Sequence, residues 1–276
     1  TDRPIASLRA RLAGWRTDGA TIALVPTMGA LHAGHIALVR EGRRRAKRTV
    51  VSIFVNPAQF APTEDLASYP RDEAADLRKL AAEGVDAVFA PTVAEMYPDG
   101  FATRIVVSGP AEELESASRP HFFGGVATVV AKLLTICSPD FAIFGEKDYQ
   151  QLLVVRRLVA DLAIPTEIVG LPTVREADGL ALSSRNAYLS VAERATAPRL
   201  NAVLTATAKS IRTGASAETA LASAKNNLAS AGFLVDYLQV RNARTLARAT
   251  GRKDGPLRLL AAVWLALWAA NRIVTP

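Results

Sequence analysis

Apolar positions along this chain switch between a helical and a strand spacing, and that switching predicts its architecture. Ile5, Leu8, Leu12 and Trp15 fall on one face of an N-terminal helix. Thr21–Val25 follows as a short apolar, β-branched run, the pattern of a strand. A basic helix is expected from about Gly34. Thr49–Val55 is the strongest strand, and its unbroken β-branched content predicts burial on both faces. After a proline-punctuated loop (Asn56–Pro70) come a helix from Asp72 and a strand over Val85–Phe89. Val126–Cys137 reads as helix, Phe141–Phe144 as strand, Tyr149–Leu162 as helix and Thr166–Val169 as strand. Such βα repetition predicts an α/β fold with a doubly wound parallel sheet. Ligands there gather at the carboxyl ends of the strands, near the switch in strand order.

The pattern changes after Leu171-Pro172-Thr173. Alanine-rich helices (Ala195–Arg212 and Ala217–Ala231) precede a strand-like Leu234–Val240, the composition of a smaller α+β domain. The expected division is therefore 1–173 and 174–276. The longest apolar run, Leu259–Ala270, is shorter than the roughly 20 residues a membrane span needs, so it is expected as buried strand or helix.

Composition narrows the classes. Half of the 276 residues are hydrophobic and 21% are charged, which excludes a disordered chain. One cysteine, Cys137, excludes an internal disulfide framework and a cysteine-rich metal site, and a reducing cytoplasmic setting is expected. Thr1-Asp2-Arg3-Pro4 does not read as a signal peptide. The net charge of +7 suits an anionic ligand. Its densest cluster (Arg40, Arg43, Arg44, Arg45, Lys47, Arg48) lacks interleaved aromatic residues to stack bases, so a solvated helix face is expected there and not a nucleic-acid surface.

Four polar segments fall where strands are expected to end. In Val25–His35 a strand enters a glycine-bearing turn, followed by His32 and His35 at the mouth of a helix. The free N–H groups and positive end of the macrodipole there attract anions. The H-x-G-H spacing is that of nucleotidyl-transferring enzymes, although a satisfied histidine pair has the same spacing. In Asn56–Phe60, the Gln59 amide offers both a donor and an acceptor, for a ligand or for its own turn. Gly145–Gln151 carries Lys147, a mobile positive charge for a phosphate or for a salt bridge to Glu146 or Asp148. Asp148 is also a candidate helix cap. Val174–Asn186 places Ser183 and Ser184 before Arg185, either as an anion clamp or as a simple N-cap.

Together PTMGALHAGH (Pro26–His35), VSIFVNPAQF (Val51–Phe60), FGEKDYQQL (Phe144–Leu152) and VREADGLALSSRN (Val174–Asn186) resemble the pantothenate synthetase family, the ATP-dependent ligases joining pantoate and β-alanine. The likeness runs from about Pro4 to Leu189. It implies a Rossmann-like ATP- and pantoate-binding domain with a C-terminal lid. The family's ATP site would fall on Met28, Gly29, Ala30, Leu31, His32, Ala33, Gly34 and His35. It would continue on Gly145, Glu146, Lys147 and Asp148, then on Val174, Leu182, Ser183, Ser184 and Arg185. His32, His35, Lys147, Ser183, Ser184 and Arg185 would contact phosphates as catalytic residues, with His35 as proton donor. Gln59 and Gln151 would hold pantoate, Gln59 also lying near β-alanine, and Asn56 and Tyr69 are candidates for the same pocket. The resemblance further implies magnesium with no assigned protein ligand, a cytoplasmic homodimer, and a reaction through pantoyl adenylate. Nucleic acid and membrane are not expected partners.

This chain departs from the family pattern in places. Ala33 replaces a common glutamate and Leu182 a common methionine. Pro120–Gly125 matches loosely, and the tail Ala262–Arg272 differs from the usual glycine, arginine and aspartate-asparagine ending. Two alternatives stay open on residues alone: another H-x-G-H nucleotidyltransferase, or a non-catalytic anion or nucleic-acid binder.

Overall fold

The computed structural model describes residues 1–62, 64–265 and the backbone of 272–275. The chain opens with α1 (Ile5–Thr17), which buries Leu8 and Leu12, and enters β1 (Ile22–Thr27). Then come α2 (Ala33–Arg45), β2 (Arg48–Ile53), α3 (Glu73–Ala82) and β3 (Ala87–Phe89). Two single turns, α4 (Val93–Met96) and α5 (Glu115–Ser118), precede α6 (Phe122–Cys137). β4 (Phe141–Gly145), α7 (Tyr149–Asp161) and β5 (Glu167–Leu171) close this part of the chain.

The five strands form one parallel sheet in the order β3-β2-β1-β4-β5. β1 pairs with β2 along its whole length, but with β4 only through Ala23 and Leu24. The order of the strands reverses between β1 and β4, and a crevice opens beyond Leu24 where they part. Helices cover both faces. Ile22, Ala23, Leu24 and Val25 of β1 are fully buried, as are Thr49, Val50, Val51 and Ser52 of β2, which meets the expectation of two-sided burial.

α6 has no solvated stripe. Phe123, Val126, Val130, Leu133, Leu134 and Ile136 are all buried, so the helix is enclosed by other elements. It starts at Phe122, earlier than the apolar run suggested. Gly125 lies so close to the single 3-10 turn Pro57–Gln59 that a Cβ would stand 2.2 Å from the Ala58 carbonyl oxygen.

The rest of the chain comprises α8 (Val191–Thr196), α9 (Arg199–Arg212), α10 (Ala217–Ser230), β6 (Phe233–Asn242), β7 (Leu257–Leu265) and β8 (Arg272–Thr275). The three strands form an antiparallel sheet in sequence order. The expected single helix Ala195–Arg212 is interrupted at Pro198, whose ring and missing N–H do not fit a helix interior. The apolar run Leu259–Ala270 is strand as far as Leu265, and residues 266–271 lie outside the described residues. Tyr237, Leu246, Leu260 and Ala262 join the same hydrophobic cluster as α6 and α7, so the second sheet rests on the first layer.

Among the described residues no helix is long and apolar enough to cross a membrane. The basic stretch on α2 is largely neutralised at the surface: Arg40 pairs with Glu83, Arg44 and Arg45 with Glu41, and Arg48 with Asp86. These contacts fit the solvated face expected from its composition.

Candidate active site

A cavity of about 480 Å³ lies at the carboxyl ends of β1, β2, β4 and β5. All four polar segments reach it: His32 and His35, Gln59, Lys147, and Ser183 to Arg185 line one space. Segments as far apart as Ala30 and Ser184, 154 residues along the chain, meet there because every loop leaves the same edge of a parallel sheet.

The first segment is shaped by backbone conformation. Gly29 and Ala30 both have positive φ, 82° and 49°, so the chain turns sharply between β1 and α2. Gly suits that region; an alanine there carries strain of order 1 kcal/mol. His32 is the N-cap of α2. Its Nδ1 accepts the Gly34 N–H at 3.1 Å, and the His35 Nδ1 accepts the His32 N–H at 3.3 Å. The rings lie 4.0 Å apart, centroid to centroid.

Burial first, then Lys147 and Lys79 nearby, push the His32 imidazole down to about 4, against an opposing pull from Asp148. His35 is pushed down to about 3 by burial, then by His32, Lys147 and Lys79. Both rings are therefore neutral near pH 7. A neutral imidazole whose Nδ1 accepts carries its proton on Nε2. Each ring accordingly offers one uncharged Nε2–H donor at a helix N-terminus. Gly34 serves His32 directly, since a Cβ there would sit 2.9 Å from Cε1 and Nδ1 of that ring.

The other predicted residues divide into those facing the cavity and those building its wall. Lys147 lines it and meets Asp148 at 3.4 Å, while Glu146 turns away to pair with Arg258 on β7 at 2.7 Å. Asp148 precedes α7, but its side chain makes no capping bond, unlike the role considered for it. Ser183 caps the next turn by accepting the Arg185 N–H, and Ser184 Oγ donates to the Ala30 carbonyl at 3.1 Å. The third segment is thereby tied to the first. Arg185 holds a bidentate pair with Asp65, both contacts at 2.9 Å, so in this state its guanidinium faces a carboxylate of the protein.

Gln59 Oε1 accepts from Asn56 Nδ2 at 3.1 Å, and its Nε2 faces Met28 Sδ at 3.0 Å. Asn56 also bonds Gly125, Ala58 and Tyr97, which makes it a brace for Gln59 as well as a wall residue. Gln151, Tyr69, Val174 and Leu182 line the cavity. Gly29, Ala30, Leu31, Ala33 and Glu146 do not, and shape it from behind. Burial pushes the Cys137 thiol up to about 12, which removes it as a nucleophile.

Several residues escaped the sequence reading. Phe54, Val126, Val129, Val130 and Leu133 make an apolar floor, and the pattern of the last four within α6 reads only as a buried helix. Arg119 pairs with Glu64 and Glu115, donates to the Gln59 carbonyl at 3.1 Å, and covers the Phe122 ring at 4.0 Å. Tyr237, Leu260 and Trp264 close one side from the second sheet. These positions depend on contacts far apart in sequence and left no local signal.

Comparison with known proteins places this geometry in context. The family model for pantoate-beta-alanine ligase matches residues 2–274. The chain is 58% identical over 264 residues to pantothenate synthetase 2 of Bradyrhizobium diazoefficiens, covering 95% of this chain and 93% of that one. It is 57% identical over 261 residues to the pantothenate synthetase of Nitrobacter hamburgensis, covering 94% and 92%. Among solved structures, pantothenate synthetase from Thermus thermophilus superposes with a TM-score of 0.92 at 47% identity, over 99% of this chain and 97% of that one. Pantoate-beta-alanine ligase from Francisella tularensis, complexed with beta-gamma ATP and beta-alanine, superposes at 0.84 with 33% identity, over 99% and 95%.

Proposed function

The chain belongs to the pantoate-beta-alanine ligase family, and from that premise we propose that its cavity joins pantoate to β-alanine in two steps driven by ATP. In the first, a pantoate carboxylate oxygen attacks the α-phosphorus, and the bond from that phosphorus to the pyrophosphate oxygen breaks. Pyrophosphate leaves and pantoyl adenylate remains. In the second, the β-alanine amine attacks the adenylate's acyl carbon, the carbon–oxygen bond to AMP breaks, and the amine releases its proton. No protein nucleophile takes part.

One observation carries this reading: the His32 and His35 rings, each accepting a backbone N–H at Nδ1 by the α2 N-terminus, share a cavity with Lys147, Ser183 and Ser184, beside the Gln59 amide. A dense set of preorganised donors is what charge moving onto phosphate oxygens requires. Burial and the neighbouring lysines depress the pKa of His35 to about 3, so the ring meets the nucleotide as a neutral hydrogen-bond donor. Gln59 and Gln151 hold pantoate above the apolar floor, with Tyr69 and Asn56 behind them. Arg185 reaches a phosphate by exchanging Asp65 for it.

Magnesium belongs to the same proposal. Among the described residues no group of three or more His, Cys, Asp and Glu side chains is arranged to hold an ion. The Asp148 carboxylate, half-exposed beside Lys147, would be the protein group to hold such an ion, whose preference for water and phosphate oxygens demands few protein ligands. When bound, it would supply neutralisation of phosphate charge. A division after residue 173, with the C-terminal part as lid, is supported by the cavity contacts of Tyr237, Leu260 and Trp264 and by the Arg258–Glu146 pair. A cytoplasmic location and a homodimer complete the proposal. A single buried thiol suits the first.

The test incubates the protein with ATP, magnesium and pantoate, with and without β-alanine. Pyrophosphate should form in an amount limited by enzyme when β-alanine is absent, and AMP and pantothenate should accumulate once it is added. Release of pyrophosphate without AMP, indifferent to β-alanine, would overturn the proposal in favour of another nucleotidyl transfer.

A further inference from the structure

Outside the cavity, one turn of α3 grips the peptide that carries the histidines. Asp76 is buried, and its Oδ1 accepts the Leu31 N–H at 2.8 Å. Its Oδ2 has no hydrogen-bond partner among the described residues and faces Gly29, where a Cβ would stand 3.1 Å away. Lys79, one turn later, donates to the Leu31 carbonyl at 2.5 Å and lies 3.8 Å from Asp76. Both polar groups of Leu31 are thus held by one helix face, next to the two positive-φ residues that need holding.

The Leu31 carbonyl and the His32 N–H belong to a single peptide group. That N–H donates to His35 Nδ1. A hydrogen-bonded chain therefore runs from the Lys79 ammonium, through one peptide plane, to the ring facing the cavity. A cation at one end polarises the peptide and strengthens its N–H as a donor. It also opposes protonation at Nδ1.

We infer that Asp76 and Lys79 are positioning residues that hold His35 in its Nε2–H form, aimed at the cavity, without touching substrate. The charged groups facing His35 support this reading: besides His32, they are Lys147 from the turn before α7 and Lys79 from α3, each opposing a charged ring. The inference rests on the proposed adenylate-forming step for its kinetic consequence, but not for its structural one.

The experiment compares the parent with Lys79→Met, Lys79→Arg and Asp76→Asn. Lys79 is half-exposed, so Lys79→Met should fold. Pyrophosphate release with ATP and pantoate should fall about tenfold in Lys79→Met, the effect of roughly one hydrogen bond, with KM for pantoate unchanged. Lys79→Arg should restore most of that rate. Nitrogen NMR of histidine-labelled protein should show His35 protonated at Nε2 in the parent. In Lys79→Met the ring should populate the other tautomer and titrate at higher pH. Asp76→Asn, which keeps an acceptor for Leu31, should move the same NMR signals by less. An unchanged His35 tautomer and titration in Lys79→Met would overturn the inference, whatever happens to the rate. If the parent itself released no pyrophosphate, the proposed function would fail while the NMR comparison still decided this one.

Discussion

Replacing Gly34 with alanine separates the geometry of His32 from the stability of the fold. The added Cβ would lie 2.9 Å from Cε1 and Nδ1 of the His32 ring, and its next neighbour, Leu182 Cβ, is at an ordinary 3.6 Å. The ring is the end of a side chain, so it yields by rotating. Rotation breaks the 3.1 Å bond from the Gly34 N–H, worth ~1 kcal/mol net, and strains the rotamer by about 0.5–1.5 kcal/mol. Together these come to about 1.5–2.5 kcal/mol, which corresponds to roughly a 10- to 60-fold loss in rate. The fold should lose little stability, because alanine is a better helix former than glycine by up to about 1 kcal/mol, which offsets part of that cost. Single-turnover pyrophosphate release at saturating ATP and pantoate measures the first quantity, and a thermal melt the second. A variant forming adenylate within twofold of the parent rate would refute the role given to the His32 ring. A melt lowered by many degrees would show instead that the clash is not confined to that ring.

Three further outcomes follow from the same geometry. Lys147→Ala should slow adenylate formation by about 10²–10³, as expected for one lost preorganised donor, and parent-like pyrophosphate release would remove Lys147 from the phosphate site. Gly125→Ala forces a Cβ against the backbone of Ala58; overpacking of about 1–3 kcal/mol should lower Tm by about 3–10 °C and weaken pantoate binding through Gln59, both readable by calorimetry. The histidines set an acid dependence. Unfolded, they take up protons near pH 6.5, whereas folded His32 and His35 do so only near 4 and 3. Their contribution to stability is therefore complete above about pH 6.5 and declines as pH falls toward 4. Melts from pH 7 to 4 should show that decline, and an adenylation rate with a histidine inflection near 6.5 would contradict the neutral rings.

Much of this molecule was legible along the chain. The two central strands, β1 and β2, announced themselves as apolar, β-branched runs, because two-sided burial removes polar alternation. The four site segments were visible because glycine, histidine, lysine and serine at strand ends have little purpose in a core. Boundaries slipped where a local rule met a tertiary one: β1 runs on through Pro26 to Thr27, and Pro198 divides a helix that its alanine-rich flanks suggested was continuous. The expected capping role of Asp148 failed because its carboxylate turns to Lys147.

Local periodicity and residue chemistry thus determined the strand-and-helix order and the donor types available for a nucleotide, since both depend on neighbours in the chain. Whether those donors carry charge was decided only by the folded arrangement. Burial and the approach of Lys79 and Lys147 keep both imidazoles neutral, and no sequence window contains those contacts. The pairing of Arg185 with Asp65, the apolar floor from α6 and the closing wall from the second sheet have the same origin: each joins residues brought within a few ångströms only when the sheet assembles.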